Sequence, residues 1–287
     1  MENIKANLIE TVKRLAHDIG ERSYRDTDKL NKAADYIEKK FRSYGCEVRK
    51  QPFGYLGNTY YNVSCEIKGA GNPQDGILVI GAHYDTVTGT PGADDNASGI
   101  AGLLELARLA VTKSFQRTVR FVAFSLEEPP TFMTKHMGSY VYAKSLKQEG
   151  IKVCGMISLE MLGYYSDRKN SQYYPFPIFK WFYPDKGNFI TFVGNIRSMS
   201  FTKKVKRYFQ ESSSLPAESF NGISLIPGVN FSDHWGFWEF GYSAFMITDT
   251  AFYRNPHYHA PGDTFETLDY ERMTEFVIGL YKTLGGL

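Results

Sequence analysis

Cysteine is scarce in this chain. Three cysteines in 287 residues, at positions 46, 65 and 154, form no CxxC pair. That pattern excludes a thiolate zinc finger and is read as ruling out a disulfide framework. An excess of charge of one sign is also lacking. Thirty-three Lys and Arg face 31 Asp and Glu, a formal net charge of +2, so no charge-driven partnership with nucleic acid or a membrane surface is expected. No apolar run approaches the roughly 18–20 residues of a membrane span. The opening Met1-Glu2-Asn3-Ile4-Lys5 lacks the apolar region of a secretory signal. A cytoplasmic location is the resulting expectation, and the sequons at Asn62, Asn96 and Asn230 are read as chance. Internal repeats and low-complexity linkers are absent as well, so residues 1–287 are read as one domain.

What is present is apolar residue in quantity, 43% hydrophobic with 15% aromatic, enough for a sizeable core. Leu8, Val12, Leu15 and Ile19, then Leu30, Ala33, Ile37, Phe41 and Tyr44, recur at helical spacing, and Gly20 and Gly45 follow as stops. Alternating β-rich runs at 47–53 and 59–67 come next. Beyond them the pattern changes. Ile77-Leu78-Val79-Ile80 is continuously apolar, as expected of a strand buried on both faces. Further strands are expected at 119–124, 153–159, 189–193 and 243–248. Helices are expected along the Ile100, Leu103, Leu104, Ala107 and Val111 stripe and at 137–148, 201–210 and 268–284. This alternation predicts a three-layer α/β fold, with a mostly parallel mixed sheet and helices on both faces. Residues 164–189 stand apart as an aromatic- and proline-rich excursion, either packed on the surface or forming a wall of a cleft.

Ligands of open α/β sheets bind beyond the carboxyl ends of the strands, and the polar residues gather there. His83 and Asp85 follow the first buried strand, Glu127 and Glu128 the second, and Glu160 the third. Asp249 and then His257 and His259 follow the last, and Asp94-Asp95-Asn96 lies between the first strand and its helix. Imidazoles and carboxylates without thiolate suit Zn, Mn, Co or Fe. Burying that many acids together is costly unless cations neutralise them. Two divalent ions would balance Asp94, Glu128, Glu160 and one hydroxide, with neutral His83 and His259 completing the shells. Glu127 is then free for proton transfer.

These residues resemble peptidase family M28, the co-catalytic zinc aminopeptidases and glutamate carboxypeptidases. The matching blocks are Gly81-Ala82-His83-Tyr84-Asp85, Pro91 to Gly99, Leu126-Glu127-Glu128, Ser158-Leu159-Glu160-Met161, Ser232-Asp233-His234 and His259 to Thr264, in the family's order. The resemblance implies two zinc ions, with manganese or cobalt as substitutes. It implies His83, Glu128, Glu160 and His259 as ligands and Asp94 as the bridge between the metals. It implies Glu127 as general base, Asp85 as the carboxylate orienting His83, and a cis peptide between Asp94 and Asp95. The implied reaction is release of an N-terminal amino acid from a peptide or small aminoacyl substrate. His257 and His234 are expected to stay off the metals, and His136 is a further candidate. One departure stands out: a tyrosine expected three residues before Ser232-Asp233-His234 is Val229 here. A tyrosine of the excursion, Asn230, or the metals alone would then have to polarise the carbonyl. Phe132, Met133, Tyr164, Phe231, Trp235, Phe252 and Tyr253 are candidates for the specificity pocket. Two other functions fit the same blocks: a one-zinc glutaminyl cyclase, and a non-catalytic binding module built on the same scaffold. The first would need one metal, and the second would have lost ligands.

Overall fold

A computed structural model describes residues 3–287; Met1 and Glu2, part of the segment read for a secretory signal, lie outside the described residues. The chain opens with α1 (Ile4–Lys13), continued by a wider turn over Arg14–Ile19, and α2 (Thr27–Ser43). A hairpin of β1 (Glu47–Tyr55) and β2 (Asn58–Ile67) leads to β3 (Ile77–His83), α3 (Gly99–Ala110), β4 (Val119–Phe124), α4 (Gly138–Gln148) and β5 (Val153–Glu160). Then come β6 (Ile190–Asn195), α5 (Met199–Ser212), β7 (Ala217–Gly222), α6 (His234–Trp238), β8 (Ala244–Thr248) and α7 (Tyr270–Leu284).

All eight strands join one sheet in the order β1-β2-β4-β3-β5-β8-β6-β7. The centre is parallel: β4, β3, β5 and β8 run the same way. The hairpin joins antiparallel through β2, and the parallel pair β6–β7 joins antiparallel through β6. The unbroken apolar run of β3 has a simple cause. Leu78 and Ile80 face a core built with α1, α2, α3, α5 and α7. Val79 faces a second core containing Tyr142, Ala143 and Leu146 of α4 and Phe237 of α6. Both faces are covered, so no polar alternation is left. With the C-terminal ends of β3, β4, β5 and β8 at one edge, the segments that follow them meet there.

The fold departs from the sequence reading in three places. Strand β7 was not anticipated, because Ala-Glu-Ser-Phe-Asn-Gly is a half-polar edge strand without the pattern of a buried one. Helix α6 is only five residues long, too short for a periodic signal. The reading that excluded a disulfide is also corrected: Cys46 and Cys65 are bonded, with Cα atoms 5.7 Å apart. Cys46 lies just before β1 and Cys65 on the neighbouring strand β2, opposite Val48, so the two meet only through the folded hairpin, and spacing along the chain does not reveal it. Cys154 is free.

The excursion contains a short 3-10 turn, Pro177–Trp181, and is tied back onto the sheet. The Tyr173 N–H donates to Tyr253 O at 2.8 Å, the Tyr183 hydroxyl donates to Ser219 O at 3.0 Å, and Phe179 packs edge-on against Phe220 of β7 at 5.2 Å.

Candidate active site

Strand β3 ends on His83, and in the parallel register His83 pairs with Phe124 of β4, so the segments after the two strands lie side by side. Asp85 joins them. Its Oδ1 accepts the Glu127 N–H at 3.1 Å and its Oδ2 accepts the Glu128 N–H at 3.0 Å. His83 Nδ1 lies 3.2 Å from the Asp85 main-chain oxygen and 3.6 Å from the Asp85 carboxylate. The closest partner of the imidazole is therefore the main chain of Asp85, while its carboxylate holds the Glu127–Glu128 backbone.

The loop after β3 corrects the expected bridge. Asp94 faces away from the histidines: its Oδ1 accepts the Gly163 N–H at 2.9 Å and its Oδ2 accepts Asn255 Nδ2 at 2.7 Å. Asp95 faces them. Its Oδ1 is 3.3 Å from His83 Nε2 and its Oδ2 is 3.1 Å from His259 Nε2. The cis peptide is likewise Asp95–Asn96 and not Asp94–Asp95. Two adjacent acids in an irregular loop project to different sides, so only one can reach both imidazoles, and the letters Asp-Asp do not say which.

Several groups hold this loop. Asp263 accepts the N–H groups of Asp94 at 2.8 Å and Asp95 at 3.1 Å. Asn96 donates to Leu159 O at 2.9 Å and accepts the Met161 N–H at 3.0 Å, tying the loop to the end of β5 where Glu160 sits. Arg22 is fully buried and donates to Pro91 O and Gly92 O, and also to Tyr84 O, Leu15 O and Gly20 O. Gly92 has φ of 63°, and a Cβ there would come within 2.3 Å of Thr86 Cγ2 and 2.5 Å of Asp95 O, so the loop needs glycine. Arg22, Asn96, Asn255 and Asp263 were not singled out for roles at the site, because supporting residues carry no motif chemistry of their own.

Three overlapping three-residue groups result, His83 with Asp95 and Glu160, Asp95 with Glu128 and His259, and His83 with Glu127 and Glu128; the first two share Asp95. Glu160 Oε1 is 3.4 Å from His83 Nε2, and Glu160 Oε2 accepts the Ser232 hydroxyl at 2.7 Å. Glu128 Oε2 is 3.4 Å from His259 Nε2. Glu127 Oε2 is 3.9 Å from His83 Nε2, next to both groups. Left-handed backbone at Leu126 (φ 60°), Met161 (φ 48°) and His259 (φ 53°) flanks or carries three of these side chains. Such strain of about 1–3 kcal/mol per residue persists where the surroundings hold it.

The charges do not satisfy one another. Burial, with repulsion from Glu128 and Glu160, drives Glu127 well above the usual carboxylate range despite His83. Burial and Asp95 push Glu128 up to about 7, and Glu128 Oε1 is buried with no hydrogen-bond partner. Burial alone would raise Asp95 too, but hydrogen bonds from His259 and His83 hold it below the usual range. Burial tends to lower His83, yet Glu160 and Glu127 raise it well above its ordinary value. An oxygen- and imidazole-lined pair of groups with an orphaned buried carboxylate oxygen fits divalent cations such as zinc.

The other sequence candidates separate cleanly. His234 is buried and its Nε2 lies 2.8 Å from Val229 O; burial pulls its pKa down to about 4. His257 packs against Tyr164 and His136 against Tyr55. Asp233 is buried beside the cluster, where burial pushes it up to about 8. A cavity of about 210 Å³ opens from the cluster over the β8–β6–β7 face. The excursion forms its wall through Tyr173, Tyr174, Phe179 and Tyr183. Phe132, Phe231, Phe252 and Tyr253 also line it, whereas Met133, Tyr164 and Trp235 do not; Trp235 instead stacks on Tyr140.

The family model described as "Peptidase family M28" matches residues 62–282. An uncharacterized protein of Escherichia coli K12, YfbL, is 44% identical over 285 residues, covering 96% of this chain and 86% of its own length. The aminopeptidase YwaD of Bacillus subtilis is 30% identical over 204 residues, covering 69% of this chain but 38% of its own length. This chain spans about half or less of the length of the curated aminopeptidases it matches. Among solved structures, a zinc aminopeptidase from Bacillus subtilis superposes with a TM-score of 0.75 at 17% identity, covering 97% of this chain and 94% of the other. A glutaminyl cyclase from Bacteroides thetaiotaomicron superposes with a TM-score of 0.73 at 18% identity, covering 99% and 98%. Both likenesses establish the α/β fold.

Proposed function

The chain belongs to peptidase family M28, and from that premise we propose that it is a two-metal aminopeptidase. The observation that carries the reading is Asp95, whose two carboxylate oxygens face two different imidazoles at 3.3 and 3.1 Å. His83 and Glu160 would hold one cation, Glu128 and His259 the other, and Asp95 both. When bound, zinc, manganese or cobalt supplies Lewis acidity to a water molecule and to the scissile carbonyl.

The residues around that centre have separate tasks. Glu127 takes a proton from the attacking water and returns it to the departing amine nitrogen as the C–N bond breaks. Burial favours its accepting that proton, since desolvation raises its basicity. Asp85 fixes Glu127 through its backbone N–H. Ser232 fixes Glu160. The cavity beside the cluster receives the side chain of the N-terminal residue. On this reading residues 1–287 form one peptidase domain, with the excursion as a cleft wall. Its partners are peptides or small aminoacyl compounds, not nucleic acid.

A glutaminyl cyclase would need a single metal; the two groups sharing Asp95 favour two. A non-catalytic module would have lost ligands, and none of the five positions is blank. Cytoplasmic location is carried within the proposal, although the Cys46–Cys65 bond weighs against it because disulfides persist in oxidising compartments. No helix of the described residues is long and apolar enough to cross a membrane.

The test is hydrolysis of a panel of aminoacyl anilides and their N-acetylated counterparts by metal-stripped and zinc-reloaded protein. Cleavage of the free-amine substrates only, and only after reloading, supports the proposal. Equal cleavage of blocked substrates, or cyclisation of N-terminal glutamine instead, overturns it.

A further inference from the structure

Strand register sets the floor of the cavity. Glu160 on β5 lies opposite Thr248 on β8, Thr248 opposite Thr191 on β6, and Thr191 opposite Glu218 on β7. All four line the cavity, so one row runs from the cluster to the edge of the sheet. With strands about 4.8 Å apart, its backbone spans roughly 14 Å. The next row on the same face is Met246, Val193 and Phe220, and it is apolar throughout. Tyr174, Phe179 and Tyr183 of the excursion form the wall. Phe179 meets Tyr183 at 5.9 Å and Phe220 at 5.2 Å. The cavity thus has aromatic and aliphatic sides, the acidic cluster at one end and a carboxylate at the other.

The Glu218 carboxylate has no firm partner. Among the described residues it meets one cation, Lys206 Nζ at 3.7 Å, beyond hydrogen-bond distance. Both side chains keep contact with solvent, Glu218 at 31% and Lys206 at 18% exposure, and a pair of this kind contributes about 0–1 kcal/mol. Lys206 is on α5, and no lysine or arginine among the described residues lines the cavity. Burial and then Glu218 raise the Tyr183 phenol above its ordinary pKa, in keeping with a carboxylate beside the aromatic wall. An acid at the far end of an apolar cavity is complemented by a cation carried on a long aliphatic stem.

We propose that Glu218 determines specificity, so that the cavity receives an N-terminal arginine or lysine. This deepens the aminopeptidase reading and rests on it. The stem lies along Met246, Val193 and Phe220. The charged end meets Glu218 and the aromatic faces, which attract cations. Reach separates the substrates. With bonds of about 1.5 Å, an extended leucine side chain reaches ~4 Å from its Cα, an extended arginine ~7 Å, and Glu218 itself ~5 Å from the other side. Arginine and Glu218 together close most of the row, whereas leucine leaves its far part empty. An N-terminal glutamate is repelled.

Citrulline is the control, because it keeps the shape of arginine and lacks its charge. The measurement is kcat/KM for arginyl and citrullyl anilides on zinc-reloaded protein at one low ionic strength, with bound zinc read by elemental analysis. In the wild-type chain the arginyl substrate should be favoured about tenfold or more, as a hydrogen-bonded charge pair implies. Glu218→Gln should bring the ratio close to one, chiefly through KM, and Glu218→Lys should take it below one. Zinc content should not change in either. A purely structural role for Glu218 would affect both substrates alike and leave the ratio standing; that result, or loss of zinc from the variants, overturns the assignment. A wild-type ratio near one beside rapid cleavage of leucyl anilide overturns it too, and leaves the aminopeptidase reading intact. Failure of the wild-type protein to cleave any aminoacyl substrate is a separate outcome that refutes that reading, and the inference with it.

Discussion

Asp94 and Asp95 are neighbours in the chain, yet their carboxylates serve opposite sides of the loop. Asp94 accepts the Gly163 N–H and the Asn255 amide, while Asp95 spans His83 and His259. One is an internal strut and the other faces the cleft. Substituting each in turn separates the roles. Asp95→Ala should abolish retention of at least one metal ion. Asp94→Asn should keep the metal content and cost about 1–3 kcal/mol of stability through its disturbed buried hydrogen bonds. Elemental analysis beside denaturant unfolding checks both. Metal loss on substituting Asp94, with Asp95→Ala unaffected, would restore the expectation drawn from sequence.

Glu127 is placed beside both groups without belonging to the pair that shares Asp95. Glu127→Gln should therefore retain its metals and lose ~10²–10⁴-fold in kcat. Zinc content and steady-state kinetics on the same preparation give the answer; wild-type turnover contradicts the assignment of the base.

Arg22 lies far from the cluster in sequence but holds five main-chain carbonyls, two of them in the loop leading to Asp95. Burial lowers its pKa only to about 10, so it stays charged. Arg22→Met leaves those carbonyls without their donor. Given that one hydrogen bond to a charged group contributes ~1.5–3 kcal/mol, the loss should be at least about 3 kcal/mol, with weaker metal retention as a second consequence. Unfolding in urea measures the first, and a change below about 1 kcal/mol would contradict it.

His234 carries a pH signature. Burial lowers its pKa in the folded state to about 4, against ~6.5 when unfolded. The folded state favours the neutral ring. Its contribution is thus complete above about pH 6.5 and is lost as pH falls toward 4, a total of about 3 kcal/mol. The difference in unfolding free energy between the wild-type protein and His234→Gln should shrink across that window. A difference independent of pH would exclude this origin.

Much of the fold was legible because its physical signals are strong. The apolar run of β3 reports burial between two cores, and the polar residues at the ends of β3, β4 and β5 report the edge where parallel strands finish. His83, Glu127, Glu128, Glu160 and His259 come together there. The choice between Asp94 and Asp95 was hidden because it depends on loop backbone held by Asp263, Asn96 and Arg22, partners 168, 63 and 70 positions from the residues they grip. The Cys46–Cys65 bond was hidden for a similar reason, since the two cysteines meet only once the hairpin is folded. Strand β7 was hidden because an edge strand need not be apolar. The aromatic excursion was visible as a composition, but its role as cleft wall emerged only when Phe179 met Phe220.

The most direct test of the central claim is metal stoichiometry. Protein stripped with chelator, reloaded with zinc and desalted should carry two ions per chain by elemental analysis, and the Asp95→Ala variant fewer. A stoichiometry of one or none in the wild-type chain would contradict the two-metal centre.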